Sequence, residues 1–223
     1  NHLTGVIGAI EMVGDDQASL EPGEVEEFLE LAHQQAVEAG EVLDDLLIAS
    51  RTERGALDAL PELVDLCPLT ETVIRRTSVE GHEIGFQCYG GPVWAMADPL
   101  RYKQILRNLL TNALRYGGDN IRVSVESFDH TVSVVVADDG DGVDPEFEHA
   151  LFQAYRAGMA MARVPGSSGL GLWIARGLAH KMGGNLRYQR EAGLTVFELI
   201  LPSAEAPPSD SALAELAASS TLV

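Results

Sequence analysis

The chain has 223 residues, 46% of them hydrophobic and 22% charged, enough apolar material for a core in one large domain or two small ones. Its 34 acidic residues outnumber 15 basic ones for a formal charge of -19, a field that repels DNA, RNA and anionic membranes and weighs against a nucleic-acid role. No apolar run approaches the ~20 residues needed to span a bilayer; Cys67 and Cys88, the only cysteines, lack CxxC spacing and are expected to be buried free thiols in a reducing compartment.

The chain begins on Asn1 within a helical pattern, so a fragment of something longer is expected. Leu3, Val6, Ile7, Ile10 and Val13 keep helical spacing until the stretch from Gly14 to Gly23 interrupts it. A second helix is predicted from near Glu24, with Val25, Phe28, Ala32, Ala36, Ala39, Leu43, Leu46 and Ser50 spaced by threes and fours. That heptad-like stripe predicts a helical hairpin over residues 1–55 that completes a four-helix bundle with a second copy. A monomer that folds the hairpin onto its own second domain is the alternative.

Beyond Gly55 the pattern is mixed. Strands are predicted at Glu62–Leu66, Ile84–Cys88, Val93–Ala97, Ile121–Ser127, Thr131–Ala137, Asn185–Arg190 and Thr195–Leu201. Helices are predicted at Leu69–Val79, Pro99–Tyr116 and Gly169–Met182; the second has Asp98 as N-cap and Pro99 at its first position. This is an α+β sandwich over residues 56–202, a mostly antiparallel sheet with helices on one face. Residues 203–223, rich in Ala, Ser, Pro and acids, read as a linker or disordered tail.

Three segments carry chemistry. On the helix Pro99–Tyr116, Gln104, Asn108, Asn112 and Tyr116 recur every four residues on one face, with Arg101 and Arg115 nearby. Asn is a mediocre helix former. Its repetition is either a polar solvent face or an amide oxygen placed to complete the shell of a Mg²⁺ already held by phosphates. Next, the apolar run Val134–Ala137 enters Asp138-Asp-Gly140-Asp-Gly142. A carboxylate at a strand end with glycines at alternate positions suits a base-edge acceptor beside a flat ring, against the alternative of an acidic surface turn. A calcium loop fits poorly, because the twelfth residue counted from Asp138 is His149 where a Glu is needed. Finally, Gly166-Ser-Ser168-Gly169-Leu170-Gly171-Leu opens a helix, where unobstructed amides form an anion site. It lacks both the Rossmann glycine order and the lysine of a Walker loop. The connection before it carries Phe152, Tyr155, Arg156 and Arg163 and reads as a lid.

Together these segments resemble the kinase core of a sensor histidine kinase. Residues 98–117 resemble that family's N box, Asp138-x-Gly140-x-Gly142 its G1 box, Phe152–Arg156 its F box and Gly166–Leu172 its G2 box. Asp45–Gly55 resembles the end of the second dimerisation helix, and Ala179–Gly184 the run after G2. The resemblance covers roughly residues 1–201. It implies a dimerising hairpin followed by an ATP domain of the Bergerat fold, the Hsp90-like fold shared with gyrase. It implies ATP and Mg²⁺ as cofactors, with Asn112 on the metal and Asn108 beside it, in a catalytic role. Asp138 would accept the adenine amino group and Tyr116 would line the base pocket, flanked by Gly140 and Gly142. Arg115 and the catalytic Arg156 would reach phosphates, and Gly166, Ser168, Gly169, Leu170 and Gly171 would clamp them. The implied activity is that of a cytoplasmic protein-histidine kinase. It passes the γ-phosphoryl group to a histidine and then to an aspartate of a response regulator, with phosphatase activity as a further option.

The family's phosphoacceptor motif is incomplete here. Aligning Leu3 with the final Leu of that motif puts Asn1 at its Thr/Asn position, so the acceptor histidine is expected just before Asn1, with His2 the lesser candidate. The rival function is a non-catalytic phosphotransfer or scaffold protein that docks a response regulator without using ATP. Intact Asn112, Asp138 and glycines argue against it. An ATPase or an anti-sigma-type serine kinase on the same fold is disfavoured by the heptad helices.

Overall fold

The computed structural model describes residues 59–77, 83–154 and 169–207 without a break, and scattered residues between 7 and 47. The chain divides into two compact units, Asn1–Leu57 with Asp144–Ile174, and Asp58–Val143 with Ala175–Val223.

In the first unit every described residue between 7 and 47 is helical, Gly23 included, so helix is already present one residue before the expected start. Of the heptad positions, Ala32 is buried, Val25, Phe28 and Ala39 are half-buried, and Ala36 and Leu43 are exposed. Much of the predicted interruption at 14–23, and the end of the heptad run, lie outside the described residues. The same unit holds a short 3₁₀ turn, Glu148–Ala150, entered where the Asp144 carboxylate accepts the Glu146 amide at 2.9 Å.

The second unit is the α+β sandwich. Its elements are β1 (Glu62–Asp65), α1 (Leu66–Thr77), β2 (Ile84–Cys88), β3 (Trp94–Ala97), α2 (Pro99–Tyr116), β4 (Ile121–Phe128) and β5 (Thr131–Asp138). Helix α3 (Gly171–Lys181) begins in the first unit and passes into the second at Ala175, and β6 (Asn185–Glu191) and β7 (Leu194–Pro202) follow. A two-stranded ribbon of β1 and β3 accompanies a five-stranded sheet in the order β2-β4-β5-β7-β6, and Ala95 of β3 bridges to Ser203 just past β7. All pairings are antiparallel except β2 with β4, so the sheet is mixed.

Period-two alternation decides the core. Ile121, Val123 and Val125 on β4 face the same side as Val132, Val134 and Val136 on β5, and register carries the row on through Phe197, Leu199 and Leu201 on β7. All nine are buried, and with them Ile105, Leu106, Leu109 and Leu110 of α2 and Leu66, Val73 and Ile74 of α1. A buried polar contact joins the helices: Tyr102 meets Thr70. Because the Thr70 hydroxyl donates to the Leu66 carbonyl at 2.6 Å, its lone pairs accept the Tyr102 proton.

Helix α2 starts as its sequence predicts. Asp98 is extended at φ -80, ψ 115, and its carboxylate accepts the Leu100 and Arg101 amides, while Pro99 takes the first turn. Its second oxygen accepts the Leu60 amide at 3.0 Å, tying the chain ahead of β1 to the start of α2. Burial pushes Asp98 up, but the three amides and the Arg101 charge outweigh it and hold the carboxyl below its ordinary value.

Two expectations are corrected. Helix α1 begins at Leu66, three residues before the predicted Leu69, because Pro68 is tolerated in a first turn. The cysteines are neither free nor buried: Cys67 and Cys88 form a disulfide, with Cα atoms 6.0 Å apart and both residues half-exposed. The first turn of α1 lies beside the end of β2, which brings together two residues 21 apart in sequence. Among the described residues no helix is long and apolar enough to cross a membrane.

Candidate functional site

The polar stripe of α2 is only partly open to solvent. Gln104, Asn108, Asn112, Arg115 and Tyr116 are all half-buried, alternating with the fully buried Leu109, Leu110 and Ala113. The Tyr116 hydroxyl is buried with no hydrogen-bond partner among the described residues. A buried hydroxyl left unpaired costs about 1–3 kcal/mol, and a ligand that offers an acceptor or donor there would recover it.

Backbone contact joins this helix to Asp138. Gly117 follows the last residue of α2, and its amide donates to Ala113 O at 2.8 Å. A Cβ at Gly117 would sit 2.3 Å from that oxygen and 2.9 Å from Asp138 Cβ. Across the seam, a Cβ at Gly140 would lie 2.6 Å from Tyr116 O and 2.7 Å from Gly117 Cα. Gly117 has φ -74, so space rather than dihedral excludes a side chain there. Two bare glycine backbones therefore let the end of α2 and the turn after β5 close on each other, with Gly117 against Asp138 and Gly140 against the Tyr116 carbonyl.

Asp138 is 3% exposed. Burial pushes its carboxyl above the ordinary range, partly offset by the Gly140 amide at 3.0 Å, the Thr195 hydroxyl and the Arg190 charge, while Asp139 adds to the rise. Asp139 is turned to other work: it accepts the Asn120 backbone and side-chain amides, and these hold its carboxyl low. A depression lined by Asn120, Arg122, Ala137, Asp139 and Leu194 lies on that opposite face of the sheet and takes no part in the Asp138 site.

Of the residues singled out from sequence, Asn108, Asn112, Arg115, Tyr116, Asp138, Gly140 and Gly142 all fall in the second unit, on α2 and the turn that abuts it. Gly169 (φ +64), the buried Leu170 and Gly171 open α3 in the first unit, with the Ile174 amide donating to Leu170 O at 2.8 Å. Arg156, Gly166 and Ser168 lie outside the described residues. Reasoning from sequence missed Gly117, Thr195, Arg190 and Tyr188. Gly117 carried a signal, a glycine directly after a helix that ends in a functional stripe.

These residues fit a nucleotide: a buried carboxylate acceptor for an amino group and, nearby on α2, a buried hydroxyl with no hydrogen-bond partner. For a metal the donor set is sparser, since no cluster of three or more His, Cys, Asp or Glu exists among the described residues. An ion here would need ligand phosphates, with neutral Asn amides completing its shell.

Residues 97–205 match the model of the histidine kinase-, DNA gyrase B- and HSP90-like ATPase family. The chain is 31% identical over 189 residues to the signal transduction histidine-protein kinase AfsQ2 of Streptomyces coelicolor, covering 83% of this chain and 35% of that protein. Full-length ShkA in complex with AMPPNP is similar in structure, with TM-score 0.68 and 25% identity over 92% of this chain and 44% of that one. The Acinetobacter baumannii histidine kinase AdeS shares the fold, with TM-score 0.66 at 20% identity, covering 92% of this chain and 96% of that one. The chain spans about a third of the length of the curated relatives it matches. On the matching domain and these relatives, residues 97–205 carry the ATPase domain of the histidine kinase-, DNA gyrase B- and HSP90-like family, in a chain similar over most of its length to sensor histidine kinases.

Proposed function

We propose that this chain is the kinase core of a cytoplasmic two-component sensor, transferring the γ-phosphoryl group of ATP to a histidine and thence to an aspartate on a response regulator. The observation that carries the reading is Asp138: a buried carboxylate with one backbone amide, pressed by glycine contacts against the end of α2. In this reading Asp138 accepts the adenine amino group and Tyr116 closes one side of the base, beside Gly140 and Gly142. Asn112, with Asn108 next to it, would hold Mg²⁺, which neutralises phosphate charge when bound. Arg115 and Arg156 bear on the phosphates, together with the amides of residues 166–171. Phosphoryl transfer depends mainly on positioning and charge neutralisation, which amides and guanidinium groups supply. That ShkA was solved with AMPPNP supports ATP as the nucleotide.

In the same reading, residues 1–55 form the dimerising hairpin, 56–202 the ATP-binding domain and 203–223 a tail. A second copy of the hairpin would cover the exposed Leu43 and Leu47.

Calorimetric titration of MgATP into the chain tests the pocket. Saturable binding that disappears in Asp138→Asn is expected, because the amide presents a donor toward the adenine amino group. Equal binding by wild type and variant would remove Asp138 from the base site.

A further inference from the structure

One cross-strand row on the inner face of the sheet contains more than the adenine carboxylate. Register places Ile121 on β4 opposite Asp138 on β5, Asp138 opposite Thr195 on β7, and Thr195 opposite Arg190 on the edge strand β6. Arg190 Nη1 donates to the Gly140 carbonyl at 2.7 Å and to Thr195 Oγ1 at 2.8 Å. The guanidinium also fills the space beside Gly142, where an added Cβ would lie 2.8 Å from Nη1. One row up the same strand, the Tyr188 hydroxyl accepts the Val143 amide at 3.1 Å, and its ring rests against Phe197 at 5.3 Å between centroids. Strand β6 thus grips the turn after β5 at both ends, by Gly140 and by Val143.

The proton count gives this grip a direction. A hydroxyl offers one proton and two lone pairs, whereas guanidinium only donates. Arg190 therefore occupies a lone pair of Thr195 and leaves the Thr195 proton for Asp138, the bond already seen to bear on that carboxylate.

We propose that Arg190 is a positioning residue for nucleotide binding: by bridging the Gly140 carbonyl and the Thr195 hydroxyl, it fixes the turn after β5 and aims the Thr195 proton at Asp138. The proposal rests on the nucleotide reading above and adds to it the residue that presets the acceptor before ligand arrives. Preorganisation of this kind shows as affinity, because ordering that would otherwise occur on binding is already complete. Arg190 also has an electrostatic consequence. The charged groups bearing on Asp138 are Arg190 from β6 and Asp139 from the turn; Thr195 from β7 and the Gly140 amide are neutral, and Gly117, just past the end of α2, adds bare backbone. Removing Arg190 leaves Asp139 unopposed and raises the pH at which Asp138 takes a proton.

The test is calorimetric titration of Mg-ADP across the acid range into wild type, Arg190→Met, Arg190→Lys and Asp138→Asn. Arg190 is exposed at the sheet edge, so its variants keep the core and should fold. Loss of a charge-assisted bond predicts that Arg190→Met weakens Mg-ADP about tenfold at neutral pH, with the acid midpoint of binding moved to higher pH. Lysine keeps the charge but lacks the planar fork, so Arg190→Lys should restore the midpoint and only part of the affinity. Wild-type affinity in Arg190→Met, or weakened affinity with an unmoved midpoint, overturns the positioning role while the nucleotide site stands. If Asp138→Asn binds Mg-ADP as wild type does, Asp138 leaves the base site and the role of Arg190 falls with it; if wild type itself binds no Mg-ADP, the nucleotide reading falls first.

Discussion

Asp98 and Asp138 are both buried carboxylates, one at each end of the path that leads into and out of α2, and their environments push them in opposite directions. Asp98 accepts three backbone amides and is held low; its hydrogen-bonding capacity is spent on the chain itself. Asp138 accepts one amide and a hydroxyl, sits beside Asp139, and is held high. A carboxylate saturated by amides is a structural fastener, whereas one buried with spare lone pairs has capacity left for something else. The surroundings differ in kind as well. Hydrogen bonds, two of them from the adjoining turn and one from Leu60, hold the Asp98 end of α2; excluded volume between Gly117, Gly140 and Asp138 holds the other end.

The largest expected effect follows from that second distinction. In Gly117→Ala the new Cβ meets Ala113 O at 2.3 Å and Asp138 at 2.9 Å, and no rotamer change can relieve contact with backbone. Overpacking of this kind should cost about 3 kcal/mol, read from urea unfolding, and nucleotide affinity should fall with it because Asp138 itself is displaced. A Gly117→Ala protein with wild-type stability and affinity would show that the seam is looser than drawn.

Asp98→Ala should do the reverse: lose about 1–2 kcal/mol as a deleted N-cap while binding nucleotide normally at temperatures well below melting. The sign of its pH dependence is set by the depressed carboxyl. Its contribution is present above about pH 4, the ordinary Asp value, and is lost as pH falls through the lower folded value. Urea midpoints of wild type and Asp98→Ala should therefore converge on acidification. A gap that stays constant from pH 6 down to pH 3, roughly the window around that Asp value, would mean that Asp98 acts through packing and not through its charge.

The same contrast explains what could be read from sequence. Helix α2 was legible to the residue, because Asp98, Pro99 and the four-residue stripe are local signals. Asp138 was legible as inward-facing, because alternation along β5 runs through Val132, Val134 and Val136 to it. Thr195 and Arg190 were not, since their neighbourhood depends on the register of β7 against β5, more than fifty residues away. Arg190 sits in the polar half of an edge strand, where a guanidinium reads as solvent-facing until its row is known. The disulfide was misjudged for a similar reason: spacing gave no hint that the first turn of α1 meets the end of β2. Arg156, Gly166 and Ser168 carry their sequence reading alone, as they lie outside the described residues.

The smallest effect separates fastening by neutral bonds from fastening by charge. Tyr102 is wholly buried between α1 and α2, and burial raises its phenol far above the ordinary value, so it stays neutral across the working range. Thr70 has spent its own proton on Leu66 O, which makes Tyr102 the donor in their contact. Tyr102→Phe removes one neutral hydrogen bond and leaves the ring in place, for a cost of about 1 kcal/mol. With no titrating group involved, that loss should be the same at every pH at which Asp98→Ala changes, and nucleotide affinity should not move. A Tyr102→Phe deficit that grows or shrinks with pH would show that a charged group bears on the Tyr102–Thr70 contact.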